Sequence, residues 1–412
     1  MMNPSTKPLP DEPAATQRAA PPEGARAGLG QALRQLIGQR TDAIDTPALV
    51  IDLDAMERNL TRMAEFTRKH GVRLRPHAKM HKSAALARLQ MQAGAVGVCV
   101  QKTAEAEALA AGGVTDIYIS NEVIALPKLR RVAALAQALA ARQGRLAIAV
   151  DSLDGVARLA EAMAGSAAVI DVFVEIDVGQ GRCGVVPGEA ALVLAQAIGR
   201  HAPLRFAGLQ AYHGRAQHLR TVQQRREAIA IAVDDVTYTR RLIEAAGIPV
   251  DLVTGAGTGT FVLEAASGVY GELQAGSFLF MDADYAKNER DAAQPQFEHA
   301  LFVKTQVISV GADHAVCDAG HKSHAIDSGL PLVHALEPGY ELTYLNGGDE
   351  HGVLRAAGAN DRLPELGRML WLIPGHCDPT VNLHDHLIGV RGGLLHGTVE
   401  RIIRVDARGA LT

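Results

Sequence analysis

The chain has 412 residues, 48% hydrophobic and 21% charged, which is enough apolar material for one large or two ordinary domains. A net charge of −4 lacks the basic footprint of a nucleic-acid surface, and no apolar run reaches the length that crosses a bilayer. Four cysteines, Cys99, Cys183, Cys317 and Cys377, show no C-x-x-C spacing, which argues against a disulfide framework or a structural zinc finger and fits a reducing, cytoplasmic compartment.

Residues 1–40 are rich in Pro, Ala, Gly and Arg, include Asp11, Glu12 and Glu23, and read as a disordered extension without the apolar stretch of a signal peptide. From Thr46 the pattern becomes regular. Residues 47–53 read as a buried strand, with Asp54 placed to cap the helix that follows. Strands are expected at 74–78, 96–100, 116–120, 146–151, 169–177, 205–213, 250–254 and 272–280. Between them lie Ala- and Leu-rich helical stretches, among them 126–142, 153–164, 188–201 and 221–246. This alternation predicts a parallel β/α barrel over 46–295. A doubly wound open sheet would read similarly, but no G-x-G-x-x-G follows the first strand to support a dinucleotide site. After 296 the strands are short and separated by Gly, Pro, Asp and His, which predicts a mostly antiparallel β domain over 296–412.

The densest chemistry lies at 73–82. There Leu74, Pro76 and Ala78 alternate with Arg75, His77 and Lys79, as in a short strand that points one set of residues into a cleft. A lysine among cations has its charged form disfavoured and its amine more available. Arg75, His77, His81 and Lys82 are therefore expected to act on Lys79 in that way. The stretch suits a Schiff-base lysine or an anion site, and an exposed basic strand end is the plainer alternative.

In a β/α barrel, chemistry gathers at the carboxyl ends of the strands. Polar residues recur at those expected ends: His77 with Lys79, Gln101, Asn121, Asp177 with Arg182, His213 with Arg215, and Gly276 with Ser277. The loop Thr254-Gly-Ala-Gly-Thr-Gly-Thr260 has the small residues that let backbone N–H groups approach an anion, although an ordinary flexible turn has the same composition. Gly276-Ser277 offers a second set of donors, and two such loops suit a phosphate. In Pro374-Gly-His-Cys-Asp-Pro-Thr380, an extended backbone would project His376 and Asp378 to one side with Cys377 turned away. His with Asp suits Mn²⁺, Mg²⁺, Co²⁺ or Zn²⁺; a polar loop with solvated histidines is the alternative.

Together, Arg75-Pro-His-Ala-Lys-Met-His-Lys82, the Gly-Ala-Gly-Thr loop and Pro374-Gly-His-Cys-Asp-Pro-Thr-Val-Asn382 resemble the fold-type III, alanine-racemase-like pyridoxal-phosphate enzymes of the D-threonine aldolase and D-serine dehydratase group. The resemblance runs from about Thr46 to Arg408, and looks closest to 3-hydroxy-D-aspartate aldolases. It implies a barrel that binds pyridoxal 5′-phosphate through Lys79, with Thr258, Gly276 and Ser277 at the phosphate, Gln101 and Tyr285 along the cofactor, and Arg182 facing the pyridine nitrogen. It further implies a divalent metal on His376 and Asp378 and a homodimer. The implied reaction is retro-aldol cleavage of a D-3-hydroxy amino acid: 3-hydroxy-D-aspartate to glycine and glyoxylate, or D-threonine to glycine and acetaldehyde. His213 is the candidate base for the β-hydroxyl, and Arg215, Lys322 and His351 are candidates for a second substrate carboxylate. D-serine dehydratases of the group carry Cys where this chain has Asp378, so elimination by a D-threo-3-hydroxyaspartate or D-serine dehydratase is the alternative. A non-catalytic pyridoxal-phosphate carrier would not need the C-terminal domain.

Overall fold

A computed structural model describes residues 32–334, 341–358 and 361–412. The expected disorder of 1–31 lies outside the described residues. Residues 38–40 are ordered: Gly38 N donates to Val399 O, Val399 N donates to Gln39 O, and Arg40 bridges Thr398. The first strand, β1 (Ala48–Asp52), runs directly into helix α1 (Leu53–His70). The N-cap is Asp52, whose carboxylate accepts from Ala55 N at 3.1 Å, rather than Asp54, which lies in the first turn. Gly71, at φ 63°, ends α1 in the left-handed conformation that a Cβ disfavours.

The barrel strands are β2 (Arg73–Leu74), β3 (Val98–Val100), β4 (Asp116–Ile119), β5 (Arg145–Val150), β6 (Ile170–Glu175), β7 (Leu204–Ala211), β8 (Leu252–Gly255) and β9 (Glu272–Leu273). They form one eight-stranded sheet in the order β2-β9-β8-β7-β6-β5-β4-β3. Every pairing in it is parallel. Its two ends meet: Val96 N donates to Leu74 O, Cys99 N donates to Pro76 O, and His77 bridges Cys99 in the parallel sense. Strands covered on both faces read as continuous apolar runs, as in Ile148-Ala149-Val150. The helices around them are α2 (Ala84–Gln92), α3 (Thr103–Ala111), α4 (Leu126–Ala140), α5 (Leu153–Met163), α6 (Glu189–Ile198), α7 (Val222–Ala245) and α8 (Phe261–Ala266). In α4, Leu129, Val132, Ala133, Ala136 and Leu139 follow helical spacing and are all buried, so one stripe faces the sheet. Burying Leu129 or Val132 there stabilises the fold by about 1.5–3 kcal/mol each. Helix α7 starts at a capping box in which Thr221 and Gln224 exchange side-chain and backbone bonds.

Inside the barrel, Tyr118 packs on Phe173 with ring centroids 4.9 Å apart, and its hydroxyl donates to Gln210 Oε1 at 3.0 Å. Arg75 is buried here as well, between Glu272 and Asp116. It therefore supports the barrel wall and does not point into a cleft, as the strand alternation had suggested. A guanidinium out of water needs such carboxylate partners.

The second sheet contains β10 (Leu301–Val310), β11 (Ala315–Cys317), β12 (Leu332–Val333), β13 (Leu342–Asn346), β14 (Gly352–Ala356), β15 (Met369–Ile373), β16 (His386–Arg391) and β17 (Thr398–Arg404). Its main path is β13-β14-β11-β10-β1-β16-β17, with β15 on β10 and β12 on β15. Among the described residues of this sheet only β1 and β16 pair in parallel. Thus β1, assigned with 46–295 from its position in the chain, belongs by its backbone bonds to the second sheet, where Val50 faces Phe302 and Ile388. Among the described residues no helix is long and apolar enough to cross a membrane.

Candidate active site

Beyond β2 the chain stays extended to His77 and then turns through a single 3₁₀ turn, Ala78–Met80. His77 caps it, its Nδ1 accepting from Lys79 N at 3.4 Å. Lys79 therefore sits on a turn and not on a strand, and its half-exposed side chain reaches a cavity at the carboxyl end of the barrel. That cavity spans about 720 Å³ with the open solvent at its mouth included.

The neighbours of Lys79 do not make the repulsive cluster expected of them. Arg75 is consumed by Glu272 and Asp116, and Lys82 by Glu105 at 3.1 Å and Asn382 at 3.0 Å. His81 is buried against Gln90, and burial pushes its imidazole down to about 4, so it is neutral. Burial opposes the charge on Lys79, but the Asp378 carboxylate, with Oδ2 3.5 Å away, and the Tyr212 side chain together outweigh it and hold the amine above its ordinary value. His77 is driven well below its usual range by burial, then by Lys79 and Arg182, and presents a neutral ring to the cavity.

One wall is built from backbone and small side chains: Ala256, Gly257 and Thr258 after β8, and Gly276 and Ser277 after β9. A Cβ on Gly276 would lie 2.6 Å from His77 O, so only glycine lets the two segments approach this closely. Thr258 Oγ1 accepts from Phe278 N at 3.0 Å and joins the two loops. Gln217 braces the first loop, accepting from Gly259 N at 2.9 Å and donating to Thr260 Oγ1 at 2.8 Å. Gln101 and Tyr285 flank this wall, and Arg182 enters from the loop after β6, its guanidinium 5.8 Å from the centre of the Tyr212 ring.

The opposite wall comes from the β domain. His376 is the extended N-cap residue of the short helix α9 (Cys377–Val381), which brings Asp378 into its first turn. His376 and Asp378 line the cavity together, although the backbone between them is a helix start and not the expected extended run. Cys377 is turned away and buried, its Sγ 3.6 Å from Met281 O. His376 Nε2 lies 3.7 Å from Asp378 Oδ1, and that oxygen is buried without a hydrogen-bond partner. On the far side of the ring, Nδ1 meets Asp327 Oδ2 at 2.8 Å and Ser328 Oγ at 3.3 Å. Burial lowers the His376 value, but Asp378 and Asp327 raise it further. Asp282, pushed up to about 6 by burial, accepts from both Tyr285 N and Cys377 N and so fixes the two walls to one another.

Of the residues singled out in the sequence, Lys79, Gln101, Arg182, Thr258, Gly276, Ser277, Tyr285, His376 and Asp378 all line this cavity. His213 does not; Tyr212 beside it does, because successive residues at a strand end face opposite ways. The His213 ring lies against Gly179, its Nδ1 is buried without a partner, and burial keeps its value low against the pull of Asp177. Arg215, Lys322 and His351 are also absent from the lining; Lys322 is exposed beside Glu350. The sequence reading did not place Gln210, Tyr212, His218 or Gln274 at the site. The polar signal was available for Gln210 and Gln274, because a glutamine in an otherwise apolar strand needs a buried partner. Here each is the other's partner, Gln274 Nε2 donating to Gln210 Oε1 at 2.7 Å.

The family described as "Alanine racemase, N-terminal domain" matches residues 51–284, which span the barrel and the lysine turn. The chain belongs to this family. A domain described for serine dehydratases matches residues 300–390, including His376 and Asp378. The chain is similar to D-threonine aldolase of Arthrobacter sp, 45% identical over 89% of this chain and 93% of that protein. It is also similar to 3-hydroxy-D-aspartate aldolase of Paracoccus denitrificans, 40% identical over 92% of this chain and 96% of the other. Among solved structures, D-threonine aldolase from Filomicrobium marinum superposes with a TM-score of 0.86 at 46% identity, covering 91% of this chain and 99% of that one. Membership of the alanine-racemase-like family implies pyridoxal phosphate, and the site fits it: the Lys79 amine shares one cavity with a wall of small residues, Ala256, Gly257, Thr258, Gly276 and Ser277.

Proposed function

We propose that this protein is a pyridoxal-phosphate- and divalent-metal-dependent aldolase that splits D-3-hydroxy amino acids between Cα and Cβ. The observation that carries this reading is the shared cavity, with Lys79 between a small-residue cradle and the His376–Asp378 pair. Bound pyridoxal phosphate supplies an electron sink at Cα, and a divalent ion supplies a contact that lowers the pKa of the substrate's β-hydroxyl.

The chain's own residues do the rest. Lys79 would hold the cofactor covalently, and Thr258, Gly276 and Ser277 would hold its phosphate. Gln101, Tyr285 and Arg182 would orient it. His376 and Asp378 hold the ion: an imidazole nitrogen and an orphaned carboxylate oxygen 3.7 Å apart are a donor pair for Mn²⁺, Mg²⁺, Co²⁺ or Zn²⁺. Neutral His213, outside the cavity lining, takes the β-hydroxyl proton through water as the Cα–Cβ bond breaks; an aldehyde leaves, and glycine follows once Cα is reprotonated. We place the enzyme in the cytoplasm, in keeping with its four unpaired cysteines. We propose a homodimer on the family resemblance alone.

Incubation with DL-threo-3-hydroxyaspartate and, separately, D-threonine tests the reading. Glycine with glyoxylate or acetaldehyde is expected, lost on chelation and restored by added metal. Oxaloacetate with ammonia would overturn it in favour of elimination. That second reading is favoured by the serine dehydratase match, and Asp378 in place of cysteine weighs against it.

A further inference from the structure

A second group of metal-ligating side chains lies on the carboxyl face of the barrel, outside the lining of the cavity. Glu122 follows β4, Asp151 follows β5 and Cys183 lies in the loop after β6. One ligand atom from each falls within 4.8 Å of the others. Ligands about 2.0–2.3 Å from a shared tetrahedral Zn²⁺ stand about 3.3–3.8 Å apart, so side-chain shifts of up to about 1 Å close the set on an ion.

Two further observations point to a missing ligand there. Both carboxylate oxygens of Glu122 are buried with no hydrogen-bond partner. Glu175, only 3% exposed, faces Glu122, and burial together with that neighbouring carboxylate pushes it up to about 9, so the two acids hold a proton between them near neutral pH. A divalent cation can take that proton's place among the facing acids. Arg182 does not fill that place: its guanidinium stays 3.9 Å from Glu175 Oε1 and is 44% exposed. Asp151 Oδ2 accepts from Gly184 N at 3.2 Å, which fixes the loop carrying Cys183 beside the acids.

We propose that Glu122, Asp151 and Cys183 form a second divalent-cation site, selective for Zn²⁺ and separate from His376 and Asp378, with Glu175 closing its buried side. One thiolate with carboxylates suits Zn²⁺ better than Mg²⁺ or Ca²⁺, which take oxygen ligands alone. Binding releases to solvent the Cys183 thiol proton and the proton held between Glu122 and Glu175, and joins Zn–S and Zn–O bonds across three barrel segments. The ion thereby ties the ends of β4 and β5 to the loop that presents Arg182 to the cavity.

The test uses the pyridoxal-phosphate-loaded full chain and Zn²⁺ alone. A His376→Ala/Asp378→Ala variant is stripped with chelator, reloaded with Zn²⁺, freed of excess and analysed for metal. One Zn²⁺ per chain is expected, and none once Cys183→Ser is added. Stability of the triple variant is checked by its melting curve. A second readout needs no substitution: Cys183 is the one cysteine not buried, so a thiol reagent on native protein reports it. Zn²⁺ is expected to slow that reaction by about tenfold or more, in wild type and in the double variant alike. No Zn²⁺ in the double variant, stoichiometry indifferent to Cys183→Ser, or protection confined to wild type would each overturn the proposal.

Discussion

Lys79 Nζ stands 3.5 Å from Asp378 Oδ2, so the amine at the end of the first barrel strand meets a carboxylate from the β domain across the cavity. The motif's other lysine has no such freedom, since Lys82 is 8% exposed and committed to Glu105 and Asn382. The two lysines therefore fail in different ways. Lys79→Ala is expected to abolish the visible absorbance of bound pyridoxal phosphate and all cleavage, with little change in melting temperature. Lys82→Ala removes the cation from the buried Glu105 carboxylate, which keeps its bonds from Gln101 N and Lys102 N, and costs up to about 3 kcal/mol of stability while keeping the absorbance. Absorbance spectra and urea denaturation separate the cases; a bound-cofactor band surviving in Lys79→Ala would remove Lys79 from its role.

Asp327 lies outside the cavity lining but orients one residue in it: its Oδ2 lies 2.8 Å from His376 Nδ1. A carboxylate behind a ligating imidazole fixes the ring and makes its other nitrogen a better donor. Asp327→Asn should weaken divalent-metal affinity by about 10–100-fold while leaving pyridoxal-phosphate binding intact. Excess Mn²⁺ should then restore cleavage in Asp327→Asn and fail to do so in His376→Ala. Metal titration of chelated protein, followed by activity, reads both. Equal affinities for wild type and Asp327→Asn would contradict the argument.

The site was largely legible in the sequence because its chemistry is carried by short strings. Arg75 to Lys82, the Gly/Thr loop and His376 to Asp378 each compress several contacts into a few adjacent residues. What escaped was set by distant partners. Arg75 looked like part of a cationic cluster until Glu272 and Asp116, far along the chain, were seen to enclose it. Strand β1 read as barrel material because a run such as Leu49-Val50-Ile51 suits any buried sheet, and its partners at 301–304 and 388–390 leave no local trace. Glu122, Asp151 and Cys183 share no motif at all, because three separate loops bring them together.

His213 is the base whose role rests least on the cavity lining, and so the most informative to change. It lies one residue beyond Tyr212 with a buried, unpartnered Nδ1, and burial keeps the ring neutral near pH 7. His213→Gln is expected to lower kcat by about 100- to 10,000-fold with cofactor absorbance preserved. Steady-state kinetics with D-threonine measure it. A loss under about tenfold would move the proton acceptor to a group in the cavity wall.

Glu264 gives the pH dependence of stability its clearest contributor. It sits in α8 at 1% exposure, accepts from Thr260 Oγ1 at 2.7 Å and leaves Oε2 unpartnered. Burial pushes its carboxyl from an ordinary 4.5 up to about 7. The folded chain thus holds this proton more tightly than the unfolded one. Stability from this group is intact below pH 4.5, declines as pH rises and is fully lost above pH 7. Glu264→Gln keeps an acceptor for Thr260 and removes the ionisation. It should match wild type near pH 4.5 and exceed it at pH 8 by up to about 3 kcal/mol. Melting curves across that range decide the matter: a difference constant with pH would mean that Glu264 does not titrate there, and a variant less stable at pH 8 would mean that the charged carboxylate is favoured in place.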